Sequence, residues 1–180
     1  DIAVGHVRYT TAGGNTIENV QPFLSVSHKG TLALVHNGQI VNAKELRCKM
    51  EDEGSIFQGT SDSEIVLHLI QRQKGSLLEK IQKTAQMMEG AFAILVMSEN
   101  SIYAVRDKYG LRPLSYAKVQ DGYCISSETC AYDVIAGTDI VDIKPGEIVK
   151  FSDGKVEHFS YTNDIKHCLC AMEYIYFSRP

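Results

Sequence analysis

Three short stretches put chemically capable side chains beside apolar runs. Ile2–Val7 gives way to Arg8-Tyr9-Thr10-Thr11, Ala33-Leu34-Val35 gives way to His36-Asn37-Gly38, and Ser61-Asp62 precedes Ile65-Val66-Leu67. A guanidinium at the end of a buried strand needs a partner, and a carboxylate gripped by two parallel N–H bonds is the natural one. A structural ion pair with one of the 22 acidic residues is the more ordinary use of Arg8. Asn37 and Gly38 offer a side-chain amide and an unhindered backbone N–H, the two donors an oxyanion hole requires. Asn-Gly is also a common tight-turn pair, and spacing alone favours the turn. Asp62 falls in the first turn of a helix, where the dipole favours a carboxylate on structural grounds. It is equally placed to hold an ammonium group while Ser61 caps the helix. Together these residues outline what an α-amino acid ligand needs: a cation for its carboxylate, an anion for its ammonium, and donors for a side-chain carbonyl. A nucleophile is missing, since no Ser–His or Cys–His pairing stands out.

Other reactive residues are less suggestive. His6, His36 and His68 lack metal-ligand spacing and read as packed or surface imidazoles. Cys168-x-Cys170 is too close and too isolated for a complete zinc site.

The elements around these residues follow from periodicity. Ile2–Val7 reads as a buried strand leading to a Gly13-Gly14 loop, and 23–26 and 31–35 read as strands around a Lys29-Gly30 turn. Asn42 is expected to cap a helix over 43–53 that Gly54 stops. Ser61 and Glu64 have the spacing of a capping box ahead of a second helix with a broad apolar face. A third helix runs from about Ser76 to Met88. Beyond Gly90 the period changes: AFAILVMS, SIYAVRD, PLSYAKV, GYCISSE, EIVKFS and KVEHFSY are strand-like, with Asp153-Gly154 a hairpin signal and a short helix over 130–136. The fold class is α+β, a mostly antiparallel sheet structure covered by helices.

Bulk composition excludes some functions. The 180 residues suit one domain, and the net charge of −4 with no Lys/Arg block argues against a nucleic-acid partner. No apolar run has the length of a membrane span, so no membrane partner is expected. Five cysteines at scattered spacing suit a reduced, cytoplasmic protein better than a disulfide scaffold.

GHVRYTTAG, NVQPF, LVHNGQIVNAKEL, FQGTSDSEIVLHLI, RDKYGLRPL, SSETCAYDV, KPGEIV and MEYIYFSRP follow one another in that order. In these blocks the chain resembles the glutaminase domains of the glutamine phosphoribosylpyrophosphate amidotransferases, a family of N-terminal-nucleophile enzymes. The resemblance implies a four-layer α/β/β/α sandwich lacking its first strands. It implies a glutaminase domain over 1–165 and a connection over 166–180 towards a phosphoribosyltransferase domain. By motif position, Arg8 would bind the glutamine α-carboxylate with Thr11 beside it, Asp62 would bind the α-ammonium, and Asn37 and Gly38 would form the oxyanion hole. The implied nucleophile is a cysteine at the mature N-terminus whose own amino group acts as base. None of Cys48, Cys124, Cys130, Cys168 and Cys170 can be that residue, so this stretch by itself is expected to be inactive. The implied partners are glutamine and phosphoribosyl pyrophosphate, the product being phosphoribosylamine for purine synthesis, with a homo-oligomeric enzyme. Mg2+ would belong to the absent half, and Cys170 would be one ligand of a [4Fe–4S] cluster in one branch of the family. Two alternatives stay open: the glutaminase domain of another amidotransferase, and a non-catalytic amino-acid-binding domain of the same fold.

Overall fold

The computed structural model describes residues 1–7, 16–28, 30–171 and 175. A six-stranded antiparallel sheet is assembled in the order β1 (Phe23–Ser27), β2 (Gly30–Ile40), β3 (Gly90–Met97), β4 (Ile102–Arg106), β8 (Glu147–Ser152) and β9 (Lys155–Ser160). A second sheet has the order β6 (Gly122–Ser126), β5 (Ser115–Val119), β7 (Thr138–Asp142). Three helices are inserted between β2 and β3: α1 (Ala43–Asp52), α2 (Asp62–Arg72) and α3 (Leu77–Met87).

Two apolar clusters define the layers. Leu34, Ile40, Phe92, Ile94, Val96 and Val105 of the large sheet pack with Ile65, Val66, Leu69, Ile70, Ile81 and Ala85 of α2 and α3. Alternate residues of the same strands, Ala93, Ala104 and Val149, point the other way and join Leu114, Tyr116 and Ile143 between the sheets. The central strands of the large sheet are therefore covered on both faces, which explains the near-continuous apolar runs of β2 and β3, while the edge strands β1 and β9 stay largely exposed. On the outer side of the small sheet, α4 (Cys130–Val134) buries Tyr132 completely, its hydroxyl 3.0 Å from both Ser115 Oγ and the Ser126 N–H. The order is helices, sheet, sheet, short helix, the α/β/β/α sandwich that the motifs imply.

Several sequence expectations change. Residues 2–7 form no strand; Val7 is 97 % exposed. An apolar run becomes a strand only where a neighbouring strand completes its ladder, and neither sheet includes this run. Asn42 sits at the head of α1 without capping it, because its amide is committed to Met87 O and the Glu89 N–H. Ser61 caps α2 through the Ser63 N–H, but Glu64 turns away to other donors, so no box forms there. The reciprocal capping box is at Ser76 and Glu79 of α3. The strand β7 (TDIVD), exposed along its length, has no apolar alternation to announce it.

Candidate functional site

β2 does not stop at His36. It runs to Ile40, with His36 opposite Ile94, Asn37 opposite Ala93 and Gly38 opposite Phe92 on β3. Three directions leave this strand segment. Even positions face the helices: Leu34 and Ile40 belong to the helix-side core, and His36 is buried beneath the start of α2. Odd positions face the other sheet, so Asn37 shares a face with Ala93 of the inter-sheet cluster. The Asn37 amide hydrogen-bonds no other described residue and is available to a ligand.

The third direction is the strand edge. Phe92 N–H and C=O are engaged by Asp107 on the β4 side, so Gly38 and Phe92 form a pair without mutual hydrogen bonds. The Gly38 N–H consequently points to the β1 side of β2. Two residues before it, His36 N–H and C=O point the same way and are taken by the Gln21 side chain, at 2.6 and 3.1 Å. Two residues after it, the Ile40 N–H is taken by Asp62 Oδ2 at 3.0 Å. Gly38 is the open position between two satisfied ones. Its φ of +143° and a would-be Cβ only 2.1 Å from Ala91 O exclude any side chain there.

Asp62 is the first residue of α2, with a side chain 14 % exposed. Its second oxygen lies 3.7 Å from His36 Nδ1, which is itself 3.1 Å from Ser63 Oγ. Burial alone would raise this carboxyl, but His36 and the Ile40 and Ser63 N–H groups outweigh it and hold the carboxyl below its ordinary range. Asp62 is thus an anion at neutral pH. Its loop is fixed by buried polar groups: Glu64 accepts the Gln58 and Gly59 N–H bonds, and Asn19 Oδ1 accepts those of Thr60 and Ser61, all within 2.8–3.0 Å. Arg47 closes the loop from outside, donating to Gly59 O while lying over the Phe57 ring.

Arg8 and Thr11 lie outside the described residues, as does most of MEYIYFSRP. Cys170 is half-buried in the irregular segment after Cys168, whose N–H bonds Tyr109 O. The structure thus brings Asn37, Gly38 and Asp62 to one end of one strand. It adds four residues that the sequence left without a site role: Gln21, His36, Asn19 and Glu64. Gln21 carried a signal, standing in the NVQPF block at the residue two before β1; Glu64 was hidden by its resemblance to a box partner.

Two hydrogen-bond donors and a carboxylate thus stand along the end of β2, groups of the kind that cleavage of an amino acid's side-chain amide asks for. The profile of the Glutamine amidotransferase domain matches residues 6–133, and the chain belongs to that family. It is 46% identical over 180 residues to an amidophosphoribosyltransferase of Bacillus subtilis, covering 99% of this chain and 38% of that protein. A Methanothermobacter thermautotrophicus amidophosphoribosyltransferase is 37% identical over 183 residues, covering 100% of this chain and 39% of that protein. A solved structure of B. subtilis glutamine phosphoribosylpyrophosphate amidotransferase, complexed with ADP and GMP, superposes with a TM-score of 0.91 at 43% identity. That match covers 97% of this chain and 38% of the solved one. The chain spans about two fifths of the length of these relatives.

Proposed function

We propose that this domain hydrolyses glutamine and that the protein carrying it passes the ammonia to phosphoribosyl pyrophosphate, forming phosphoribosylamine. The observation that carries the reading is the open Gly38 N–H flanked by the free Asn37 amide and the anionic Asp62. Asp62, its negative charge favoured at the N-terminus of α2, holds the α-ammonium. Arg8, with Thr11, grips the α-carboxylate. The glutamine amide carbonyl then lies against Asn37 and Gly38. A thiolate from an N-terminal cysteine adds to the amide carbon, and the C=O electron pair moves onto oxygen, where the two donors stabilise it. Collapse expels ammonia, which takes its extra proton from the cysteine's ammonium group, and water cleaves the thioester to glutamate.

The likeness to amidophosphoribosyltransferases across 99% of this chain supports phosphoribosyl pyrophosphate as the acceptor. Among the described residues no group of three or more His, Cys, Asp or Glu is placed to hold a metal. A [4Fe–4S] cluster needs four ligands, of which Cys170 would supply one if the full-length protein holds such a cluster; neither cluster nor magnesium enters a step here. Glutamate release from glutamine by the full-length protein, with and without phosphoribosyl pyrophosphate, tests the reading. Stimulation with matching pyrophosphate is expected. Release indifferent to that acceptor would point to another amidotransferase, and no release would leave a binding domain.

A further inference from the structure

We propose that Gln21 is a positioning residue for the oxyanion donors, its side-chain amide serving as the last rung of the β1–β2 ladder. The pairing of Phe23 with Leu34 and Leu24 with Ala33 puts Gln21 opposite His36 if the register is extended. Pro22 and Gln21 do not continue β1, yet His36 N–H and C=O are both bonded, to Oε1 and Nε2 of Gln21. An amide side chain mimics a backbone peptide: it accepts and donates from one planar group. That substitution has a functional consequence. A real strand residue at position 21 would bring its predecessors along the edge and cover Gly38; a side chain ends the ladder one rung short of it. Gln21 therefore holds the strand firmly at His36, one residue before Asn37 and two before Gly38, and leaves the Gly38 N–H uncovered. No other described side chain bonds the backbone of 36–38.

The inference rests on the glutaminase reading, and the experiment separates the two. Glutamine-dependent and ammonia-dependent product formation are measured in the full-length enzyme for the wild type, Gln21→Met and Gln21→Glu. Gln21→Met removes donor and acceptor. Gln21→Glu keeps the shape and the acceptor but turns a carboxylate oxygen towards His36 O. Both are expected to lower glutamine kcat about 10–100-fold, the scale on which a small misplacement of catalytic groups acts. KM for glutamine should stay within about threefold and ammonia-dependent synthesis unchanged. For Gln21→Glu the kcat relative to wild type should rise as pH falls towards 5, because a protonated carboxyl restores the donor. Wild-type failure to release glutamate would sink the glutaminase reading and this inference with it. With an active wild type, unchanged kcat, a pure KM effect, or parallel loss of ammonia-dependent synthesis would each overturn the role of Gln21 alone. Failure of both variants to fold would assign Gln21 to the fold instead.

Discussion

The loops at 57–62 and 107–113 each carry a carboxylate, Asp62 and Asp107, and the two are used in opposite ways. Asp107 is fully buried, and its oxygens are taken by the N–H groups of Phe92 and Tyr109 at 3.2 and 2.8 Å. Its neighbour Arg106 donates to three carbonyls, those of Arg112, Ile143 and Gly110. RDKYGLRPL, one of the blocks that carry the family resemblance, serves as a clasp between the sheets. In the other loop most of the structural work is given to Asn19 and Glu64, and Asp62, with Oδ2 bonded to the Ile40 N–H and Oδ1 beside the His36 imidazole and the Ser63 N–H, keeps part of its side chain exposed. A carboxylate offered to a ligand is recognised by spare acceptor capacity and some exposure, and a structural one by having neither.

The largest effect is expected outside both loops, at the strand they flank. Gly38→Ala forces a Cβ against the Ala91 carbonyl at a φ that resists side chains. Denaturant unfolding should show a loss of about 3 kcal/mol or more, with glutamine hydrolysis abolished; a stable, active variant would refute the closed geometry of that pair.

The next test breaks or sharpens the contrast directly. Asp107→Ala strands two buried donors and should cost about 2–4 kcal/mol, with the glutamine KM of the surviving folded enzyme unchanged. Asp62→Asn keeps an acceptor for Ile40 and should cost about 1 kcal/mol or less, yet raise the glutamine KM about 10–100-fold through loss of the charged partner. If the two substitutions exchanged their effects, the distinction drawn from spare lone pairs would fail.

The smallest expected effect is one of pH. His68 lies tilted against Phe57, ring centres 4.5 Å apart, and its Nε2 is 3.8 Å from Glu64 Oε1. Burial first, with Arg72 and Arg47 adding, holds its imidazole below the ordinary value against the pull of Glu64. A folded-state value below the unfolded one near 6.5 means this increment of stability is full above about pH 6.5 and is lost as pH falls through the folded value. His68→Gln should flatten the stability profile slightly between pH 7 and 5, measured by thermal melts. An unchanged slope would show that the 57–64 loop does not sense this ring.

Much of the architecture was legible because local signals and tertiary packing coincide. The Asp153-Gly154 hairpin has both residues at positive φ, as that dipeptide favours, and the 3.6-residue pattern of α2 and α3 marks the faces they bury. Asn37, Gly38 and Asp62 were legible as types, and their convergence was not, since it depends on an Asp62 bond to a residue 22 positions earlier. Polar partners chosen by tertiary structure stayed hidden for the same reason: Asn19 reaches Thr60 and Ser61, and Asn42 reaches Glu89, across more than forty residues. Ile2–Val7 failed in the other direction, because apolar composition does not supply a ladder partner.

The three directions taken by β2 constrain how this domain can change in length. A single residue inserted or deleted between Gly30 and His36 would turn every later side chain to the opposite face. His36 would leave the helices, Asn37 would leave the inter-sheet mouth, and the open N–H would rotate into β3. Insertions and deletions are therefore barred from this strand, while the turns at 120–121 and 153–154, exposed and remote from it, are free to absorb them.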